Sequence, residues 1–295
     1  MKKLGFLAIV LLACSARAAD APERPQDWRD VDPNNLVLID TRYGEVAVEL
    51  APEFAPKHVE RVRALIRAHF YDGLSFYRVI DGFVAQGGIG EGTASTKDHP
   101  KEAAALKQWP PLKAEFERPI GNDIGFTPLG NADLFAPEVG HVNGFPVGRD
   151  AKAAREWMIQ CPGTFAFARD NGADTATTEF YIVIGEAPRR LDRNLTAFGR
   201  VIDGMQYLQK LERGDPKVEN GVIQNVAKRD PIVRVRLASD IPEKGRPRFQ
   251  VMRTDSVSFA KEKELRKNPA PDFYVHTPPP VFDICGLAVP VRQVN

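Results

Sequence analysis

Short β-type runs separated by tight turns are the main pattern along the chain. Residues 36–40 and 45–50 are two such runs, and the four residues between them predict a β-hairpin. Further runs of this kind lie at 75–80, 83–86, 164–168, 179–184, 197–202 and 232–237. The pattern predicts a mainly β fold, and many short strands with tight turns favour a closed antiparallel barrel or a sandwich.

Two helices are predicted beside these strands. Pro56 suits the first turn of a helix, because its missing N–H would have no partner there anyway. The apolar positions that follow with helical spacing are Val59, Val62, Leu65 and Ile66. Asp203 is predicted to cap a second helix that ends at Gly214. The apolar positions of this second helix are Met205, Leu208 and Leu211.

Two regions fit this plan poorly. Residues 90–161 are long for a connection, and such segments are usually functional or carry small elements of their own. Within them, residues 150–160 are predicted to form an amphipathic turn or two of helix that presents Trp157 and Met158. Residues 240–295 are predicted to contain a helix at 256–267, followed by a proline-rich tail. Because the tail is too apolar for a free linker, we expect it to wrap the main body.

The N-terminus has the order of an export signal. Lys2 and Lys3 precede ten apolar residues, and Ala16 and Ala18 then occupy the two positions that a signal peptidase recognises. Ten residues are too few to span a bilayer. We predict a signal peptide over 1–18, a leader over 19–34 and, from the bacterial style of the signal, a periplasmic protein. The alternatives are a buried first helix and a lipoprotein anchored through Cys14.

Composition excludes several classes of function. Hydrophobic residues make up 43% and charged residues 27%, which is typical of a globular protein. The net charge of +1 includes three basic residues of the signal peptide, so the remaining chain has 37 basic and 39 acidic residues. A nearly neutral chain is not expected to bind nucleic acid or an anionic membrane as its main activity. No later segment is apolar enough to cross a membrane.

Common metal and catalytic motifs are missing from the sequence. The five histidines are scattered and form no zinc pattern, and Cys161 and Cys285 belong to no CxxC motif. Whether these two cysteines pair is left open, because the sequence does not give the distance between their Cα atoms. The chain has no nucleophile elbow, HExxH motif or Walker loop. The glycine-rich residues 88–92 lack the strand and helix of a nucleotide-binding loop.

Residues 70–88 carry the most specific pattern. A strand over 76–80, a tight turn at 81–82 and a returning strand over 83–86 are predicted. The local pattern alone favours a surface arginine beside core aromatic residues. A bulge or a barrel bend would instead bring Arg78, Phe83 and Gln86 together.

This stretch resembles the signature of the cyclophilin family of peptidyl-prolyl cis–trans isomerases, which runs Phe-His-Arg, then Gly-Phe, then Gln-Gly-Gly. Other segments similar to the family follow in the family's order, at 44–50, 55–56, 163–169, 178–182 and 191–205. The resemblance covers residues 35–237 and implies an eight-stranded antiparallel barrel capped by two α-helices. We therefore predict an isomerase domain over 35–239, with an insertion at about 119–161 and a C-terminal extension over 240–295.

The resemblance also implies the roles of individual residues. It assigns catalysis to Arg78, with Phe83 in the proline pocket and Gln86 at the substrate backbone. It assigns substrate binding to Val84, Ala168, Arg169, Glu179, Tyr181, Leu191 and Leu195. Of these, Tyr181 is expected to add a hydroxyl to the pocket rim. Neither a metal nor a cofactor is expected, and the expected partners are proline-containing unfolded or flexible polypeptides.

Five positions depart from the family pattern. Tyr77 replaces a histidine, Val84 a methionine and Glu179 a glutamine. Leu195 replaces a histidine or tyrosine, and Arg190 stands where some members carry an aromatic residue important for cyclosporin binding. We therefore expect weak cyclosporin binding, and isomerase activity in the cell envelope that is retained but re-tuned. The alternative is a proline-peptide-binding module or chaperone with little turnover.

Overall fold

The computed structural model describes residues 24–90, 100–121, 125–269 and 273–294. The predicted signal peptide, Cys14 and residues 19–23 of the predicted leader lie outside these residues. The first eight strands are β1 (Trp28–Asp30), β2 (Leu36–Thr41), β3 (Gly44–Leu50), β4 (Ser75–Val79), β5 (Val84–Gly88), β6 (Arg118–Pro119), β7 (Phe126–Pro128) and β8 (Glu138–Val142). The remaining strands are β9 (Phe145–Asp150), β10 (Arg155–Met158), β11 (Thr164–Phe167), β12 (Phe180–Val183), β13 (Ala197–Asp203), β14 (Asp230–Leu237), β15 (Arg248–Met252) and β16 (Val291–Val294).

Eight of these strands close into one barrel in the order β11-β12-β5-β4-β14-β2-β3-β13, with antiparallel neighbours throughout. The predicted eight-stranded antiparallel barrel is therefore confirmed, and the sandwich alternative is excluded. Phe165 lies at the centre of the aromatic core, with its ring 5.3 Å from that of Phe180 and 4.8 Å from that of Phe198. Closure pairs every barrel strand on both sides, so that this sheet has no free edge.

Four helices lie among the described residues: α1 (Pro56–Arg67), α2 (Pro100–Gln108), α3 (Met205–Leu208) and α4 (Val257–Lys267). The start of α1 at Pro56 and its buried apolar face agree with the prediction. Ala55 precedes this helix and has no side chain that can cap it. The Glu115 carboxylate instead accepts hydrogen bonds from the backbone N–H groups of Lys57 and His58. None of the described helices is long and apolar enough to cross a membrane.

The prediction for the second helix was wrong in its cap and its length. Asp203 is the last residue of β13, and the chain turns at Gly204, which has a φ of 86° and makes no side-chain cap. A Cβ at residue 204 would lie 2.5 Å from the Glu45 carbonyl oxygen, so that only glycine fits this approach. Helix α3 ends after one turn at Leu208, well before Gly214.

A five-stranded antiparallel sheet is built from residues 118–158, in the order β6-β10-β9-β8-β7. The predicted helical turn at 150–160 was wrong, because residues 155–158 form strand β10 between β6 and β9. Its Glu156 is fully buried and binds Arg118 and Arg149 of the two neighbouring strands, each at 2.6 Å. Spacing along the chain does not show that two arginines from other strands neutralise this glutamate.

A three-stranded sheet, β1-β15-β16, joins the two ends of the described chain. The predicted helix at 256–267 is confirmed as α4, and the Ser256 side chain caps it by accepting from the Phe259 N–H at 3.0 Å. The tail follows its prediction only in part. Ile284, Leu287 and Val289 are buried against the body of the protein, whereas Phe273 is 84% exposed.

A disulfide between Cys161 and Cys285 ties this tail to the start of β11, with the two Cα atoms 5.2 Å apart. The bond settles the pairing that the sequence left open. Beside it, the buried guanidinium of Arg189 binds the carboxylates of Asp133, Asp192 and Asp283 at 2.9, 2.7 and 3.3 Å. The tail is thus held to the five-stranded sheet segment and to the barrel by one covalent bond and one ion cluster.

Replacing both cysteines by serine is expected to lower the free energy of unfolding by about 2–4 kcal/mol. The reason is that the bond joins residues 124 positions apart and restricts the conformations of the unfolded chain. Urea unfolding of the oxidised wild type and of the double variant measures the difference. As a control, a reducing agent should shift the wild-type midpoint and leave the variant unchanged. Equal midpoints for the two proteins would contradict the prediction.

Candidate active site

A bulge in strand β4 creates the centre of the site. Phe76 pairs with Gly87, but the next pair is Arg78 with Gln86, so that two residues of β4 stand opposite one residue of β5. The extra residue changes the alternation of side chains along the strand. It brings the side chains of Arg78 and Gln86 side by side, as expected for a bulge at this position.

The guanidinium of Arg78 is held at two points. Its Nη1 donates to Gln86 Oε1 at 3.0 Å, and its Nε donates to the backbone oxygen of Asn220 at 2.8 Å. Burial lowers the pKa of Arg78, but a guanidinium stays protonated in proteins. The remaining N–H groups of this fixed cation are available to a bound molecule.

The loop that carries Asn220 is strained. Glu219, Asn220 and Gly221 follow one another with φ values of 45°, 54° and 91°. Non-glycine residues in this region cost about 1–3 kcal/mol each. Hydrogen bonds from the loop to β4 hold it in place, from Gly214 N to Val79 O at 2.7 Å and from Ile223 N to Tyr77 O at 2.8 Å. No pattern in the sequence identified this loop as part of the site.

A cavity of about 780 Å³ opens beside Arg78. The ten site residues predicted from the sequence all line it: Arg78, Phe83, Val84, Gln86, Ala168, Arg169, Glu179, Tyr181, Leu191 and Leu195. Nine further lining residues were missed: Tyr77, Leu106, Asp170, Asn171, Thr175, Thr177, Glu219, Asn220 and Val222. Val84 and Tyr181 are buried in one apolar cluster, against which Phe83, Ala168 and Leu195 pack. The cavity therefore combines an apolar wall with one fixed cation.

Tyr181 contributes its ring but not its hydroxyl to this wall. The hydroxyl was expected at the pocket rim, and this prediction was wrong. It donates to Gln160 Oε1 at 3.0 Å in the interior, and burial raises the pKa of Tyr181 well above its usual value. The backbone N–H of Gln160 in turn binds Asp192 at 2.9 Å. Gln160 lies in the segment whose helix prediction failed, so its position behind Tyr181 was not foreseen.

The side chains of Tyr77 and Glu179 form a polar pair behind Gln86. The Tyr77 hydroxyl accepts a hydrogen bond from Gln86 Nε2, and the Glu179 carboxylate accepts hydrogen bonds from the backbone N–H groups of Ile89 and Gly90 at 3.0 and 3.3 Å. Burial raises the pKa of Glu179, while hydrogen bonds from the backbone of Ile89 and Gly90 and from Tyr77 oppose the shift. Burial, followed by the nearby Glu179 charge, also raises the pKa of Tyr77.

Comparison with known proteins assigns the family. The family described as "Cyclophilin type peptidyl-prolyl cis-trans isomerase/CLD" matches residues 36–237, which span the whole barrel. The chain belongs to this family. The crystal structure of the cyclophilin AquaCyp293 from Hirschia baltica is similar at 30% identity with a TM-score of 0.71, and the match covers 91% of this chain and 94% of that one.

Curated relatives carry the same activity in their names. A probable peptidyl-prolyl cis-trans isomerase of Brucella suis is 28% identical over 78% of this chain and 95% of its own length. A peptidyl-prolyl cis-trans isomerase of Acinetobacter baylyi is 26% identical over 70% of this chain and 87% of its own length. The sequence-based assignment to the cyclophilins is therefore confirmed.

The predicted substrate-binding residue Arg169 makes internal contacts in this cyclophilin. Its guanidinium donates to the backbone oxygens of Asp170, Asn171 and Asn194, at 2.6, 3.3 and 2.8 Å. These bonds join the two loops that border the cavity. Within the described residues, no group of three or more His, Cys, Asp or Glu side chains is arranged to hold a metal ion.

Replacing Tyr181 by phenylalanine is expected to lower the free energy of unfolding by about 1–3 kcal/mol, because the buried Gln160 amide loses its hydrogen bond. The apolar wall keeps its ring, so isomerase activity should change much less than stability. Denaturant unfolding and a proline-peptide assay measure the two quantities. Tyr274→Phe, at an exposed tyrosine, is the matched control and should leave both unchanged. An unchanged stability of Tyr181→Phe would show that the hydrogen bond contributes nothing.

Proposed function

We propose that this cyclophilin accelerates the cis–trans isomerisation of X-Pro bonds in polypeptides, with Arg78 as the catalytic donor. The observation that carries the proposal is the position of Arg78, which Gln86 and the Asn220 carbonyl hold at the edge of an apolar cavity. Phe83, Gln86 and the substrate-binding residues named above take the roles that the family pattern implies.

The reaction needs few chemical groups. Rotation about a peptide bond has a barrier of about 18–20 kcal/mol, because it breaks the amide resonance. A proline ring packed against Phe83 and the Tyr181 ring leaves the rest of the chain free to rotate. As the bond twists, the amide nitrogen becomes pyramidal, and its lone pair is localised on it because it is no longer shared with the carbonyl group. A fixed guanidinium that interacts more strongly with this twisted amide than with the planar one lowers the barrier.

Replacing Arg78 by alanine is expected to lower kcat/KM for a proline-containing peptide by about 10²–10³-fold. The loss removes the donor and leaves the apolar wall intact. Arg248→Ala is the matched control, since this exposed arginine lies on the three-stranded sheet, and its activity should equal that of the wild type. Equal rates for Arg78→Ala and the wild type would refute the proposed role of Arg78.

A binding module or chaperone with little turnover is the second candidate. The observation that favours it is the altered pocket wall, where Val84 and Leu195 stand in place of larger or polar family residues. The same assay separates the two functions. A wild-type protein that fails to accelerate isomerisation but suppresses aggregation of a proline-free client would favour the chaperone.

We further propose that the protein is bacterial and exported and that it assists folding in the periplasm. The N-terminal pattern of residues 1–18 supports export, and the Cys161–Cys285 bond suits an oxidising compartment. In this proposal, residues 119–161 are an insertion into the barrel and residues 240–295 an extension of it. Weak cyclosporin binding also stays a prediction, supported by the exposed arginine at position 190.

Mass spectrometry of the protein isolated from the periplasm of the bacterium that produces it should give a mature N-terminus at residue 19 or 20. Cleavage there follows from the small residues at the end of the signal. A lipidated N-terminal Cys14 would support the lipoprotein alternative instead. An intact Met1 on protein from the cytoplasm would contradict export.

A further inference from the structure

A second cavity, of about 840 Å³, lies outside the site described above. Its walls come from three places: residues 114–117, Phe135 in the loop between β7 and β8, and the loop between β12 and β13. Among the described residues, the two cavities share no lining residue. Residues 114–117 and Phe135 also lie outside the segments that resemble the family, so the motifs alone do not account for this cavity.

The loop at 189–195 is a wall common to both cavities. Leu191 and Leu195 line the first cavity, whereas Arg190 and Asn194, the residues directly before them, line the second. Consecutive Cα atoms are about 3.8 Å apart, so the two cavities come close together at this loop. An extended polypeptide advances about 3.3 Å per residue, and a few residues are therefore enough to reach from one cavity into the other.

Arg169 connects the two cavities from the side of the first one, which it lines. Its Nε donates to the backbone oxygen of Asn194 at 2.8 Å, and its guanidinium lies 5.6 Å from the centre of the Phe116 ring. Asn194 and Phe116 both line the second cavity. A substrate in the first cavity therefore meets, in Arg169, a side chain that also borders the second.

Arginines and aromatic rings are paired around the second cavity. Three guanidinium groups lie 4.7–5.6 Å from a ring centre, in the pairs Arg169 with Phe116, Arg189 with Phe135 and Arg193 with Trp157. Phe135 nevertheless keeps 46% of its surface exposed, and its neighbour Leu134 keeps 95%. An exposed aromatic side chain at the edge of a cavity offers a bound ring a surface to pack against.

Arg190 is the arginine of this cavity without such a partner. In the part of the chain that the structure describes, its guanidinium makes no ion pair, hydrogen bond or ring contact. Two other arginines of the cavity are matched by acids, since Glu117 binds Arg193 at 2.6 Å and Asp192 binds Arg189 at 2.7 Å. An acidic ligand would meet these two carboxylates as well as Arg190. A neutral aromatic ring meets no such repulsion and can stack on the guanidinium.

We propose that the second cavity binds an aromatic side chain of the substrate polypeptide, a few residues away from the proline in the first cavity. The ring packs against Phe116 and Phe135, and Arg190 stacks on it. The inference rests on the proposed function, because both cavities act on the same substrate. It narrows the substrate class to unfolded polypeptides in which a proline and an aromatic residue lie close together in the sequence.

A series of short peptides with one proline tests the second cavity. Each peptide carries a phenylalanine at a different position, up to about five residues from the proline on either side, which is roughly 17 Å of extended chain. The matched peptide carries leucine there, which is apolar but has no aromatic ring. NMR titration of the ¹⁵N-labelled protein should give, at one position, a Kd about three- to tenfold lower for phenylalanine than for leucine. Equal affinities at every position would overturn the proposal.

Two variants locate the preference in the second cavity. Arg190→Gln should reduce it about two- to fivefold, because the cation is lost, and Phe135→Ala should abolish it. Arg248→Gln, at an exposed arginine of β15, is the matched control and should keep the wild-type preference. If Phe135→Ala fails to fold, Arg190→Gln decides the question. A preference that survives these variants unchanged would show that the ring binds elsewhere, and the proposal would be wrong.

Isomerase rates on the same peptides separate this proposal from the proposed function. In the wild type, the favoured phenylalanine should lower KM relative to leucine with little change in kcat, since the second cavity does not touch the reacting amide. An active wild type without the preference would refute the second site alone. An inactive wild type that keeps the preference in the titration would refute the catalytic function alone.

Discussion

The pairing of β4 with β5 across a bulge is the constraint on which the site depends. Because both strands belong to a closed barrel, neither can slide without breaking its bonds to β12 or β14. The bulge therefore places Arg78 opposite Gln86 in a fixed register. Because the guanidinium is already held in place, it can interact with a substrate amide without moving when that amide twists.

Around this pair, the protein supports the site from two directions. The strained loop at Asn220 supplies a carbonyl for Arg78, and Gln160 orders the ring of Tyr181 from behind. The Arg189 ion cluster and the Cys161–Cys285 bond connect that second support to the C-terminal tail. Segments outside the barrel strands therefore do more than cover the surface of the barrel. Through Gln160 and Asp192 they also support the wall of the cavity.

The departures from the family pattern differ in what they change. Val84 and Leu195 lie at the apolar wall and alter its shape. Tyr77 and Glu179 lie behind Gln86, where Tyr77 accepts from the Gln86 amide and Glu179 accepts from the backbone of Ile89 and Gly90.

The sequence by itself determined the barrel strands and the first helix through local spacing, whereas the family and the ten predicted residues that line the cavity followed from ordered motifs similar to those of the cyclophilins. Only the tertiary structure decided the strand at 155–158, the one-turn helix after Gly204 and the disulfide. It also placed the Tyr181 hydroxyl in the interior and added Asn220 to the site. Each of these depends on groups distant in the chain, such as the arginines that neutralise Glu156, and local patterns carry no information about such partners.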